Sequence, residues 1–412
     1  MKFFPKVLKW WTGISLVLRI LIGLVIGAVL GLVCPGATGI GILGTVFVSA
    51  LKAIAPVLVA VLVAASIAKA GGGLGPRFRT VIALYLISTL IAAFIAITGS
   101  TLFPVTLQLT EAAEGSAPSA LTDVFSTLLS NLVANPIAAI ASANYIGILF
   151  WSILAGLALK MVASPGTVKV VSDLADVLTT IVKWVIQFAP FGILGLVFTA
   201  VGESGMAVFT VYGKVLLLLV GCMLVNALIF NPLLSFIATH ENPYPLLWTC
   251  IKESGLQAFF TRSSAANIPV NMALCKKLGL DRDFYSVSIP LGATINMNGA
   301  AVTITVMSLA VAHTLGVQVG FFQALILSVV VTLAACGASG VAGGSLLLIP
   351  LACSFLGIGS DLAMQAVAVG FIIGVVQDSV ETALNSSADA FFTATAEYRD
   401  RRRGGNEKTA TP

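Results

Sequence analysis

The chain has 412 residues, 58% of them hydrophobic and only 9% charged, with a net charge of +5 and a mean hydropathy of +1.04. A soluble domain carries about 25% charged residues, so this composition excludes a water-soluble globular fold and predicts a polytopic helical membrane protein in a lipid bilayer. The basic residues sit in short loops and at the termini, a distribution that excludes nucleic acid as a partner.

In chain order, "MKFFPKVLKWW" is basic, and no small-residue cleavage site follows the first apolar segment. It reads as the start of an uncleaved helix rather than a signal peptide. Apolar segments fall at 13–34, 40–68, 80–103, 137–162, 178–201, 210–237, 247–273, 284–312, 320–356 and 361–392. Flanking charge orients them. Lys2, Lys6, Lys9 and Arg19 place the start in the cytoplasm, and Lys69, Arg77 and Arg79 mark the loop after the second segment likewise. The loop 104–136 holds Glu111, Glu114 and Asp123 without Lys or Arg, as an external loop does, and Lys160 and Lys169 return the chain inside.

The seventh segment has Lys252 near its start and Lys276, Lys277 and Arg282 after it, so both its ends are cytoplasmic. Its centre, "FFTRSSAANIPVNM", supports a re-entrant hairpin: Arg262, Ser263, Ser264 and Asn267 make a polar tip, and Pro269 disfavours an unbroken helix. The ninth segment repeats this with "CGASGVAGGSL", where Gly337, Gly340, Gly343 and Gly344 crowd one window and the flanks lack positive charge. Eight crossing helices and two re-entrant hairpins entering from opposite faces result, an all-α fold with both termini cytoplasmic and Arg401–Arg403 inside. Non-helical backbone at membrane depth must be buried in protein or line a watery cavity. Two opposed units, each followed by a polar helix, have the form of an inverted repeat around a midplane transport site. The six cysteines are scattered, with no CxxC and no metal-like pairing with His240 or His313, and read as small buried hydrophobes. Lys52, inside the second segment, reads as snorkelling to an interface.

The last segment carries "QDSVETALNSSAD", Gln377 to Asp389. At 100° per residue, Asp378, Glu381, Thr382, Asn385 and Asp389 share an arc of roughly 100° on one helix face. An acid at the centre of a membrane helix costs about 2.5–3.5 kcal/mol, so three of them must be offset by cations. Arg262 is the only arginine placed to reach. An Arg262–Asp378 ion pair holding the bundle together is one reading, but it leaves an acid unpaired. The functional reading supplies the missing charge as cargo, a sodium ion and a substrate ammonium, since hard cations take oxygen ligands.

The motifs "TRSSAANIP", "NMNGA" and the D…T..N...D pattern of the last helix, in this order, resemble the sodium-coupled dicarboxylate/amino-acid symporter family, which includes the glutamate transporters. The likeness extends through "ANPIAAIASANYIGILFWSILAGLAL" and "IVKWVIQFAPFGILGL". It implies a glutamate-transporter-like fold that agrees with the charge-based count, and a homotrimer in the cell inner membrane. Residues 1–68 would then be scaffold helices 1–2, 80–103 transport-domain helix 3, 137–237 scaffold helices 4–5 with transport helix 6, 247–392 the transport core, and 393–412 a cytoplasmic tail.

The resemblance also implies roles. Asp378 would take the substrate amine, with the Thr382 hydroxyl and the carbonyls of Arg262 and Val341, beside the Ser263 turn. Asn385 and the Ser264 N–H would bind the α-carboxylate. Asp389, with carbonyls of Gly292, Asn296 and Asn385, would hold one sodium. A second would sit among carbonyls of Thr294, Ala335, Cys336 and Ala338. Where acidic-amino-acid carriers of the family place an arginine, this chain has Glu381; a threonine is Ala300 and a glycine is Ser345. Like charges repel an acidic substrate side chain, while Glu381 and Ser345 suit a hydroxyl. These departures resemble the bacterial serine/threonine–sodium symporters and imply L-serine and L-threonine as substrates. An aspartate of a third sodium site is replaced by Asn298, beside Tyr85, Ser88 and Thr89, which weakens that site.

A channel would need a polar stripe on several helices, whereas polarity concentrates in the last third. An enzyme is disfavoured too. An intramembrane protease would need a carboxylate dyad, and Asp378 and Asp389 lie roughly 16 Å apart along one helix. A proton-coupled or exchange-mode carrier of other small neutral amino acids stays open, with Glu381 as the proton site.

Overall fold

The computed structural model describes residues 13–69, 76–109, 130, 133–338 and 343–409, and among these it contains helices and no strand. In chain order the principal helices are α1 (Leu16–Val33), α2 (Gly41–Lys69), α3 (Pro76–Leu102), α4 (Pro136–Ala141), α5 (Tyr145–Val162), α6 (Pro165–Gln187) and α7 (Ala189–Ser204). Then come α8 (Ala207–Val225), α9 (Asn231–Thr239), α10 (Tyr244–Cys250), α11 (Leu256–Thr261), α12 (Ser264–Lys277) and α13 (Arg282–Ile295). The chain ends with α14 (Asn298–Thr314), α15 (Phe321–Ala335), α16 (Ile349–Phe355) and α17 (Ser360–Thr409). π-type turns at Asn226–Phe230 and Ile251–Gly255 join α8 to α9 and α10 to α11. Five described helices are long and apolar enough to cross a bilayer, or six if α6 and α7 are one bent span. This is the architecture of a polytopic membrane protein.

Burial separates helices that face lipid from those that face protein. Over its most apolar window the Ala207–Thr239 span is 28% buried, whereas Arg282–Thr314 is 94% buried and the last helix 78%. The polar sequences "NMNGA" and "QDSVETALNSSAD" therefore lie inside the bundle. Helix α17 is the hub, touching α3, α8, α9 and α11 to α14, while α1, α2, α5, α6 and α7 pack mainly on one another.

The α1–α7 contact has a simple cause. A Cβ on Gly23 would lie 2.2 Å from the Pro190 carbonyl oxygen, on Gly27 2.4 Å from that of Leu194, and on Gly31 2.8 Å from that of Phe198. Glycine at every fourth position lets the two backbones meet, the usual device of helices in lipid, where dispersion rather than water expulsion drives association.

Two expectations shift in position. The segment 178–201 is two helices meeting at 54° around Phe188, because Pro190 cannot donate into the preceding turn and opens α7 instead. The seventh segment breaks at the first residue of the expected polar tip, Arg262, whose φ of +51° ends α11. Pro269 lies within α12. Lys52 is paired: its ammonium meets the Asp361 carboxylate in the first turn of α17. The pair borders a cavity of about 670 Å³ that Glu203, Tyr212 and Gln365 also line.

Candidate functional site

Three interruptions of helix converge on the middle of α17. The first is the α11–α12 break. Arg262, in the left-handed conformation, turns its side chain to α17, and its Nε donates to Asp378 Oδ2 at 2.7 Å. Ser263 caps α12 by accepting from the Ala266 N–H at 3.2 Å, which leaves Ser264, buried, at the first helical position. First-turn N–H groups have no partner within their helix and face anions well.

The second interruption separates α13 from α14 at Asn296 and Met297. The Asn296 N–H donates to the Gly292 carbonyl at 2.9 Å, and the following carbonyls of α13, Thr294 included, lose their helical donors. Gly292 is a requirement of space, since a Cβ there would lie 2.8 Å from both Asp389 Oδ1 and the Tyr85 hydroxyl. The Asn296 amide donates to Asp389 Oδ1 at 2.8 Å and to the Asn385 carbonyl at 3.2 Å. Asp389 Oδ2 and Asn296 Oδ1 are both buried and receive no hydrogen bond from the described residues. The two oxygens sit on side chains in contact, and a buried carboxylate oxygen without a donor is costly unless something positive meets it.

The third interruption follows α15. Cys336 brings its sulfur 3.7 Å from the Ile295 carbonyl, so the end of α15 lies against the α13–α14 break. Ala335 accepts from the Ala338 N–H at 2.9 Å. Val341 lies outside the described residues. Beyond them Gly343 (φ +73°) donates its N–H to Asp378 Oδ1 at 3.2 Å, and a Cβ there would meet Phe371 at 2.9 Å. Ser345 opens the next helical turn and donates to Glu381 Oε2 at 2.8 Å.

The predicted face of α17 is thus assembled, with two carboxylates, Asp378 and Glu381, shared among several donors and a third, Asp389, that accepts from the Asn296 amide. The Arg262–Asp378 ion pair read from sequence as a structural staple is formed, its side chains 11% and 3% exposed. A carboxylate offers about four acceptor positions, so the pair leaves room for a further cation. Thr382 donates to the Asp378 carbonyl at 2.7 Å. Asn385 accepts the Gly299 N–H at 2.8 Å, and among the described residues its amide nitrogen meets only the Met297 sulfur, 3.5 Å away. That weak acceptor leaves the amide free for a stronger one. Thr294 bonds back to the Leu291 carbonyl at 2.7 Å, so any contribution it makes to a cation is through its carbonyl. Around Asn298, Oδ1 accepts from Thr89 at 2.9 Å, Ser88 donates to Asn231 at 2.5 Å, and Tyr85 reaches the Asp389 carbonyl at 3.2 Å. The three hydroxyls are occupied by protein acceptors.

Sequence reading missed two residues of the site. Thr303 and Gln377 bond to Glu381 Oε2 at 2.7 and 2.5 Å. The i,i+4 spacing of Gln377 and Glu381 was the available signal. Glu381 and Ser345, expected to serve a ligand, bond first to each other.

Helices broken at depth around a buried, cation-seeking polar cluster define a membrane transporter rather than an inert bundle. The model of the sodium:dicarboxylate symporter family matches residues 16–398, and the chain belongs to that family. It is 59% identical over 389 residues to a Bifidobacterium adolescentis protein named serine/threonine transporter SstT, covering 94% of this chain and 90% of that one. A Streptococcus thermophilus protein of the same name is 54% identical over 389 residues, 94% of this chain and 96% of its own.

Proposed function

We propose that this chain takes up small neutral hydroxy amino acids, serine and threonine, by sodium-coupled symport with alternating access. The observation that carries the coupling is the pair of buried, unpartnered oxygens on Asp389 and Asn296. The names of the two relatives support the substrate. So does Glu381, whose negative charge disfavours an acidic side chain.

In this reading Asp378, Thr382 and the carbonyls of Arg262 and Val341 take the ammonium, beside Ser263. Ser264 N–H and the Asn385 amide take the carboxylate, and Glu381 with Ser345 faces the hydroxyl. Asp389 with carbonyls of Gly292, Asn296 and Asn385 holds one sodium; carbonyls of Thr294, Ala335, Cys336 and Ala338 hold another. Asn298, already bonded to Thr89, leaves a third site weak.

The fold reading is eight crossings plus two opposed hairpins, α10–α12 and α15–α16, with both termini cytoplasmic in the inner membrane and three copies forming a trimer. Residues 1–68 and helices 4–5 within 137–237 act as scaffold. Residues 80–103, helix 6 and 247–392 move as the transport unit, and 393–412 form the tail.

Uptake of labelled serine into proteoliposomes tests this. An inward sodium gradient drives accumulation, and an inward proton gradient without sodium does not. Accumulation under the proton gradient alone would favour the proton-coupled alternative and contradict the coupling.

A further inference from the structure

Glu381 is held unevenly. Thr303 Oγ1, Ser345 Oγ and Gln377 Nε2 lie 2.7, 2.8 and 2.5 Å from its Oε2, and Oε1 has no hydrogen-bond partner among the described residues. Gln377 Nε2 also donates to Thr303 Oγ1 at 2.7 Å. The three atoms form a tight triangle in which the Gln377 amide nitrogen donates toward both Thr303 and Glu381, and Thr303 gives its own hydrogen to Glu381. Thr303 and Gln377 are fully buried, on α14 and α17, while Glu381 keeps 5% exposure. Gly299 completes the cradle, since a Cβ there would lie 2.8 Å from the Glu381 Cα.

A carboxylate on a flexible stem presents either oxygen, in many orientations. Three donors on one oxygen end that freedom and leave the other as an acceptor in one place. Asp378 and Glu381 are three residues apart on one helix face, hence neighbours. An amino acid whose amine and hydroxyl sit on adjacent carbons can reach both.

We propose that Gln377 and Thr303 are positioning residues for hydroxyl recognition: they pin Glu381 Oε2 so that Oε1 accepts from the substrate hydroxyl. This rests on the serine/threonine reading above. The pinning explains why an amide and a hydroxyl with no lipid-facing role are buried at this depth. Ser345 joins the same oxygen from the turn after α15, so hydroxyl recognition also senses where that turn sits.

The test compares alanine, which lacks only the hydroxyl, with serine as competitors of sodium-driven uptake of labelled threonine. The readout is the ratio of the alanine and serine concentrations that halve uptake, in the parent, Thr303→Val, Thr303→Ser and Gln377→Met. Thr303→Val keeps the shape and removes the donor; Gln377→Met keeps length and removes the amide. The expected result is a ratio lowered about three- to tenfold in Thr303→Val and Gln377→Met, with Thr303→Ser near the parent. Serine and alanine weakening together, at an unchanged ratio, would overturn the proposal and leave a purely structural network. Should Thr303→Val abolish uptake, Thr303→Ser decides: retained uptake with the parental ratio supports the hydroxyl's role, and loss in both overturns it. A parent that takes up neither serine nor threonine overturns the transport reading itself, a different result from an unchanged ratio.

Discussion

Asp389 has one side-chain donor, Asn296, and an Oδ2 that receives none. Asp378, three turns earlier, has a guanidinium on one oxygen and a backbone N–H on the other. The two acids therefore respond differently to amidation. Asp389→Asn removes the charge a sodium ion would balance, so uptake should lose its sodium dependence while the purified protein melts no lower than the parent; unchanged sodium affinity would remove Asp389 from the ion site. Asp378→Asn removes the counter-ion of a buried arginine as well as the proposed amine partner. Serine affinity should fall about ten- to a hundredfold, the loss of one charge-assisted hydrogen bond of about 1.5–3 kcal/mol, and melting temperature should fall too. A variant that melts lower yet binds serine as the parent does would reduce Asp378 to a structural role. These two acids, with Glu381 between them, were legible in sequence because charge within an apolar run has few innocent explanations. Thr303 and Gln377 were not, because a threonine and a glutamine in a helix are ordinary until their partners are seen.

At the scale of elements, the α1–α7 contact depends on what a side chain would strike. Gly27→Ala places a methyl 2.4 Å from a carbonyl oxygen, whereas Gly221 has nothing within 4 Å. Overpacking costs about 1–3 kcal/mol, while alanine favours an open helix position by about 0.5–1 kcal/mol. Thermal melts in detergent should show Gly27→Ala below the parent and Gly221→Ala at or above it. The N-terminus of α13 gives a pH-dependent case. Asp281 caps the helix through the Asp283 N–H at 3.0 Å and accepts from Arg77 Nη1 at 2.9 Å. The Arg77 guanidinium beside it, helped by the Asp283 N–H, holds its carboxyl below the usual carboxylate range. A lowered folded-state value means the contribution is complete above about pH 4 and is lost as pH falls through that value. Asp281→Asn retains the cap and removes the charge, so the fall in melting temperature on acidification should be shallower than in the parent. The helix breaks were legible as clusters of Ser, Asn and Gly, but not to the residue. The tip residue Arg262 does turn the chain, whereas Pro269, expected to help break the helix, lies within α12, where neighbouring elements supply contacts.

Across the whole molecule, the buried polar cluster on α17 is assembled from elements far apart in sequence. The sequence pattern allowed this because inserted charge marks the interior as surely as hydrophobicity marks the lipid. What it did not carry was long-range pairing: Lys52, placed at an interface by its length, meets Asp361 of the last helix. Under the proposed function, Glu381 stands where an arginine would receive acidic substrates and so favours neutral hydroxy amino acids. The most direct test is competition by aspartate against labelled serine uptake under a sodium gradient, in the parent and in Glu381→Arg/Ala300→Thr. The account predicts that aspartate leaves uptake by the parent unaffected, and that the double variant loses serine transport and admits aspartate. Strong competition by aspartate in the parent would contradict it.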